Sequence, residues 1–85
     1  MTVLEETNNA VNYSIVIPIF NEEDILPELW RQLEETLAQI AGNKEVIFID
    51  DGSSDRSFAI MLELNRDHPE ILKLLLIFSL LLVLL

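Results

Sequence analysis

The chain has 85 residues, with fifteen acidic and five basic side chains giving a formal net charge of −10, and 51% of its residues are hydrophobic. That length admits one small domain or part of one, and that apolar content excludes a disordered chain. The acidic excess excludes a charge-driven nucleic-acid or anionic-lipid surface, and the lack of cysteine excludes disulfides and thiolate metal sites.

Residues 1–12 begin MTVLEETNN, without a basic segment leading into an apolar run. They read as a flexible N-terminus with a cytoplasmic start and not as a secretory signal. Tyr13 to Ile19, YSIVIPI, is apolar and β-branched nearly throughout, which predicts a parallel strand covered on both faces. Pro18 removes a ladder donor and belongs near the end of that strand or where the chain leaves the sheet. From about Asp24, Leu26, Leu29, Trp30, Leu33, Leu37 and Ile40 recur at spacings of three and four with charged residues between them, which predicts one amphipathic helix. Asn21 or Asp24 is the expected cap, Pro27 is tolerable in the first turn, and Gly42-Asn43 offers a left-handed exit.

Glu45 to Asp50 predicts a second strand and Asp55 to about Asp67 a second helix. Ser54 or Asp55 would be its cap, Phe58, Met61, Leu62 and Asn65 its inner stripe, and His68-Pro69 its stop. Ile71 to Phe78 predicts a third strand. Every acidic residue lies at or before Glu70, and from Ile71 onward the only polar residues are Lys73 and Ser79. A membrane-crossing helix needs about 20 apolar residues, so the short run after Lys73 reads as a core segment ahead of a span. Strand, helix, strand, helix, strand predicts an α/β layer with parallel strands joined by right-handed crossovers.

In such layers ligands bind beyond the carboxyl ends of the strands. Both polar clusters, FNEED after the first strand and DDGSSD after the second, fall at that edge, so segments far apart in sequence become neighbours in space. Asn, Asp, Ser and Gly are also ordinary turn and cap residues, and DDGSSD alone reads equally well as punctuation. The doubled aspartate is harder to account for that way, because adjacent carboxylates repel and a cap needs one. Side chains alternate along a strand, so Asp50 and Asp51 should point apart, one to a ligand and one to the loop or a metal ion. Gly52 lets the backbone turn closely beneath. A dinucleotide fingerprint or a phosphate-cradling loop needs glycines that this chain, with two, does not place after its first strand. A phospho-acceptor domain would put its acidic pair after the first strand.

With these segments in place, YSIVIPIFNEEDILPELWRQLEETL followed by EVIFIDDGSSDRSFAIMLEL resembles the opening of the inverting GT-A-fold family 2 glycosyltransferases. The likeness is to their polyprenyl-phosphate branch, dolichyl- and undecaprenyl-phosphate glycosyltransferases, and runs from Tyr13 to Phe78. The resemblance implies a partial GT-A, Rossmann-like βαβαβ layer. It also implies the nucleotide half of a sugar-nucleotide site, taking a UDP- or GDP-linked donor. On that basis Pro18 and Phe20 lie against the base, Glu22 is a carboxylate near the ribose, and Asp51 accepts a hydrogen bond from the uracil or guanine ring. Asp50 matches its neighbour in the acidic pair. Carboxylates suit base N–H and ribose O–H donors, whereas a diphosphate needs a divalent cation, Mg²⁺ or Mn²⁺ in full-length relatives.

The resemblance stops at Ser79. The family's metal-binding D-x-D-type segment, catalytic base and acceptor-binding parts belong to downstream regions, so no catalytic or metal-ligating residue is expected in this chain. The tail, 80–85, reads as non-family sequence after a nucleotide-binding part at 13–79, and the whole as a truncated, catalytically incomplete fragment of the glycosyltransferase lineage. The competing expectation is a non-enzymatic module that associates with a membrane or a partner through apolar residues 71–85, at the cytoplasmic face. His68 is expected as a solvated helix-end residue, Trp30 as core packing and Arg56 as a surface cation.

Overall fold

The three apolar runs become three neighbouring parallel strands, and the amphipathic segments between them become the crossover helices. The computed structural model describes residues 11–78 and 81–84. In chain order the elements are β1 (Tyr13–Ile19), α1 (Leu26–Leu37), β2 (Lys44–Asp50), α2 (Ser57–Asp67), β3 (Leu72–Phe78) and β4 (Leu81–Leu84). The sheet order is β1-β2-β3-β4, with β1, β2 and β3 mutually parallel. This is the expected α/β layer, consistent with part of a Rossmann-like GT-A fold.

Right-handed crossovers between successive neighbours place both helices on one face of the sheet. Three rows of paired residues lie beneath them: Ile15–Val46–Leu72, Ile17–Phe48–Leu74 and Ile19–Asp50–Leu76. Leu26, Trp30 and Leu37 of α1 and Met61 of α2 close over these rows, and Trp30 meets the edge of Phe48 with ring centroids 6.1 Å apart at 81°. The first two rows are wholly apolar. The third, nearest the carboxyl edge, carries a carboxylate at its centre.

The opposite face has no helix among the described residues. There Val16 pairs with Ile47 and Pro18 with Ile49, and Val16 is 53% exposed. The expectation that β1 is covered on both faces is therefore corrected: among the described residues β1 is an edge strand with one open face. That position also explains Pro18, whose missing N–H falls on a strand that, among the described residues, has a neighbour on one side only. A second difference is β4, which pairs antiparallel with β3 from Phe78↔Leu81 to Leu75↔Leu84. Three strands were read from the sequence; residues 81–84 add a fourth, whose backbone groups pair with those of β3.

Helix α1 begins at Leu26 after Ile25, which gives no side-chain cap. The expected cap at Asn21 or Asp24 is not made. Instead the Glu22 carbonyl accepts the N–H groups of Ile25 and Leu26, at 3.1 and 3.0 Å. Pro27 sits in the first turn as expected, where its missing donor has no helical partner to lose. At the other end Lys44 Nζ donates to the Ile40 carbonyl at 2.6 Å, and Gly42 takes the left-handed exit at φ 100°. A Cβ there would stand 2.7 Å from Asn12 Oδ1, which holds the Asn43 N–H. On the solvent side Arg31 pairs with Glu28 and Glu35, and its hydrogen bonds, followed by that of Gln32, hold the Glu28 carboxyl down to about 2.

In α2 the inner stripe is Ser57, Ile60, Met61 and Leu64, while Leu62, expected inside, is exposed. Asn65 is committed otherwise: its Nδ2 donates to the Leu72 carbonyl at 2.7 Å. His68 caps the helix through its backbone, and its ring lies against Trp30 at 5.0 Å and 3.8 Å from Glu34. It is packed rather than merely solvated. No helix among the described residues is long and apolar enough to cross a membrane.

Candidate functional site

Parallel pairing of β1 and β2 in the register Ile19↔Asp50 brings the loop after each strand to the same edge. The ladder runs one residue further, with Asp51 N–H donating to the Ile19 carbonyl at 3.1 Å. Beyond that point the two loops bind each other reciprocally. Three successive N–H groups of the first loop, Asn21, Glu22 and Glu23, donate to Ser53 Oγ, Ser57 Oγ and Asp55 Oδ2 at 3.0, 2.7 and 3.2 Å. Three successive N–H groups of the second, Ser54, Asp55 and Arg56, donate back to Asn21 Oδ1 at 2.8 and 3.3 Å and to Glu23 Oε1 at 3.3 Å. Each segment thereby satisfies backbone donors of the other that no strand ladder or helix takes up.

This pairing sorts the acidic and polar residues of the two clusters. Asn21, Glu23, Ser53, Asp55 and Ser57 are bound to the partner loop, and Ser57 is fully buried. Asp50 is 5% exposed and belongs to the core-side row. Its Oδ1 accepts the Ser53 N–H at 3.3 Å, which ties the carboxylate to its own loop. Asp51 is exposed at the edge, and Glu22, half-buried, stands in the neighbouring loop with its N–H held by Ser57. Phe20, at 56% exposure, presents its ring to solvent beside them, whereas Pro18 lies within β1 on the uncovered face.

Sequence reasoning singled out Pro18, Phe20, Glu22, Asp50 and Asp51; the structure brings the last four to the carboxyl edge and sets Pro18 one register row back. It also separates the paired aspartates into one buried and one exposed carboxylate. Among the described residues no three His, Cys, Asp or Glu side chains stand together to hold a metal ion, and the split of Asp50 from Asp51 does not suit shared ligation of a cation. A cleft of about 700 Å³ does lie in the chain, lined by Trp30, Glu34, Lys44, His68 and Ile71. It sits at the amino ends of β2 and β3, opposite the acidic loops. The residues missed by sequence reasoning are those of the reciprocal pairing: Asn21, Glu23 and Ser57. Their signal was present as two runs of cap-type residues after adjacent strands.

Asp55 makes the pairing sensitive to acid. Its partial burial pushes the carboxyl up, but hydrogen bonds from the Ser57 side chain and from the N–H groups of Ser57, Glu23 and Asp55 itself outweigh this and hold it below the usual carboxylate range. A lowered folded value stabilises the fold above the unfolded value of about 3.9 and loses that contribution as pH falls through the folded one. We expect the Glu23 and Ser57 amide resonances to move together and lose exchange protection below about pH 4, while Phe48 is unchanged. Titration of the two amides with a midpoint at or above the ordinary aspartate value would show that these bonds do not favour the charged carboxyl.

With that geometry in hand, comparison with known proteins is informative. The sequence pattern of the family described as Glycosyl transferase family 2 matches residues 14–75. An uncharacterized glycosyltransferase, YkcC of Bacillus subtilis (strain 168), is 39% identical over 61 residues, covering 72% of this chain and 19% of that protein. The undecaprenyl-phosphate 4-deoxy-4-formamido-L-arabinose transferase of Pseudomonas fluorescens (strain Pf0-1) is 48% identical over 50 residues, 59% of this chain and 15% of its own length. The protein of the same description from Pectobacterium carotovorum subsp. carotovorum (strain PC1) is 50% identical over 62 residues, 69% of this chain and 18% of its own. The chain thus spans less than a fifth of the length of these relatives.

Proposed function

This chain belongs to glycosyl transferase family 2, and from that premise we propose that its two carboxyl-edge loops form the nucleotide-recognising half of a sugar-nucleotide site. The lineage reading is transfer of a sugar from a nucleotide diphosphate to a polyprenyl phosphate, the acceptor taken from the names of two relatives, both undecaprenyl-phosphate transferases. The observation that carries it is the sorting of side chains at the edge. The reciprocal pairing occupies Asn21, Glu23, Ser53, Asp55 and Ser57, which leaves exposed Asp51 and half-buried Glu22 with carboxylates outside that exchange, on a braced support.

Two such acceptors suit the donors of a nucleoside: ring N–H for Asp51 and ribose O–H for Glu22. Phe20 supplies an exposed ring beside them, against which a base can stack, a contact worth about 1–3 kcal/mol in nucleic-acid sites. Acids cannot meet a diphosphate directly. A divalent cation, Mg²⁺ or Mn²⁺, would supply that neutralisation, bound through parts of the relatives that this chain does not span. In this reading the residues present recognise the nucleotide, and sugar transfer falls to those other parts.

Isothermal titration of the 85-residue chain with UDP, UDP-glucose and GDP-mannose in the presence of Mg²⁺ tests the proposal. A half-built site is expected to bind weakly, with Kd near a millimolar, about −4 kcal/mol. The nucleotide should account for nearly all of the affinity, so that UDP and UDP-glucose differ little. No heat at millimolar ligand would remove the proposal, and turnover of donor by the chain would show that more than recognition resides here.

A further inference from the structure

The six hydrogen bonds from backbone N–H groups between the two segments run in both directions, and Asn21, Glu23 and Asp55 each give and accept; of these Asn21 takes part in the most. Asn21 gives its N–H to Ser53 Oγ and receives the N–H groups of Ser54 and Asp55, with the Ser54 hydroxyl a further 3.4 Å contact, on Oδ1. It does so from a left-handed backbone at φ 51°, a conformation that asparagine tolerates better than most side chains because its short amide bonds locally. The next two residues, Glu22 and Glu23, have their N–H groups taken up by Ser57, at the start of α2, and by Asp55 of the loop before it. Asn21 is the position at which the first loop turns out of β1, and it lies one residue from Glu22.

We propose that Asn21 is a positioning residue. By latching the β2–α2 loop onto the β1–α1 loop it holds Glu22 and Asp51 in a fixed relation before any ligand arrives, so that the nucleotide does not have to order the two loops on binding. The consequence for function is preorganisation: a ligand that must order loops binds more weakly than one meeting a braced site. This inference rests on the nucleotide reading above for its ligand, but the latch itself is a property of the free chain.

Three variants separate backbone from side chain. Asn21→Gly keeps access to the left-handed turn and removes Oδ1; Asn21→Ala removes both; Asn21→Asp keeps an acceptor at the same place. Amide exchange of the free chain is read first, with the β2 amides of Val46 and Phe48 as the control for global folding. In Asn21→Gly the Ser54 and Asp55 amides should exchange about tenfold or more faster, the equivalent of one lost hydrogen bond, and Asp51 and Glu22 should follow. Asn21→Asp should restore protection at Ser54 and Asp55, a rescue that a general loss of stability would not show. UDP titration is read second, where Asn21→Gly should weaken binding about fivefold or more without altering the β2 amides.

Wild-type exchange at Ser54 and Asp55 in Asn21→Gly would overturn the latch. Faster exchange there with Asp51 and Glu22 unmoved, or with UDP affinity unchanged, would overturn the positioning role. If the wild-type chain gives no UDP heat, the nucleotide reading falls, while the exchange of Asp51 and Glu22 still decides whether Asn21 positions them.

Discussion

Phe48→Ala is expected to remove the cooperative thermal transition of this chain. Phe48 is fully buried on β2, an inner strand, paired in register with Ile17 on one side and Leu74 on the other, and its ring takes the edge contact with Trp30. Truncating a buried phenylalanine costs about 3–5 kcal/mol, because the removed surface and the cavity both count. Small domains bury a smaller share of their surface and sit at the low end of the usual stability of about 5–15 kcal/mol. A single change at this position therefore uses most of what holds the fold. Val16→Thr, on the uncovered face of the edge strand, is the matched comparison and should shift stability by less than about 0.5 kcal/mol. Urea titration followed by near-ultraviolet circular dichroism reads both. Similar midpoints for the two variants would mean that the face carrying Phe48 is not the core.

The contrast between those two positions shows where the sequence is a good guide and where it is not. Tyr13–Ile19 reads as a strand because it is uniformly apolar, but the same uniformity hides which face is covered. Val16 and Ile17 look alike in sequence, and only the placement of both helices on one side distinguishes them. The α1 stripe is legible because the charged residues between Leu26 and Leu37 fix its phase; in α2, where Phe58, Ile60, Met61, Leu62 and Leu64 crowd together, the phase is ambiguous and Leu62 is misplaced. Residues 81–84 carry no turn signal before them and no alternation, so neither a strand nor its antiparallel direction could be read from leucines alone.

The site follows the same logic. Its location is legible because strand order and the ligand-binding edge of parallel layers are general rules, and FNEED and DDGSSD each follow a strand. What each polar residue does is not, since a capping residue is read against its own helix. Asn21 stands a few residues before α1 and looks like that helix's cap; it serves the loop ahead of α2 instead, a partner more than thirty residues away. Sequence distance conceals the exchange, and the parallel register creates it. The alternation argument that set Asp50 and Asp51 apart did succeed, because it depends on strand geometry alone.

That separation gives the sharpest functional test. Asp51→Ala should lower UDP affinity about tenfold or more, since a hydrogen bond to a charged group is worth about 1.5–3 kcal/mol, and should leave the urea midpoint where it was. The side chain is exposed, and among the described residues its backbone N–H donates to the Ile19 carbonyl, a bond that alanine keeps. Removing one carboxylate from an edge that also carries Glu22, Glu23, Asp24, Asp50 and Asp55 also relieves like-charge repulsion, so a loss of affinity cannot be ascribed to a weakened fold. Asp50→Ala behaves differently. It takes the acceptor from the Ser53 N–H at a buried position, loosening the loop from which Ser53 in turn accepts Asn21, so it should move both stability and affinity. Measured side by side, the pair distinguishes a carboxylate that touches ligand from one that shapes the support. Wild-type UDP affinity in Asp51→Ala would take the base-reading role away from this residue and return the doubled aspartate to turn chemistry.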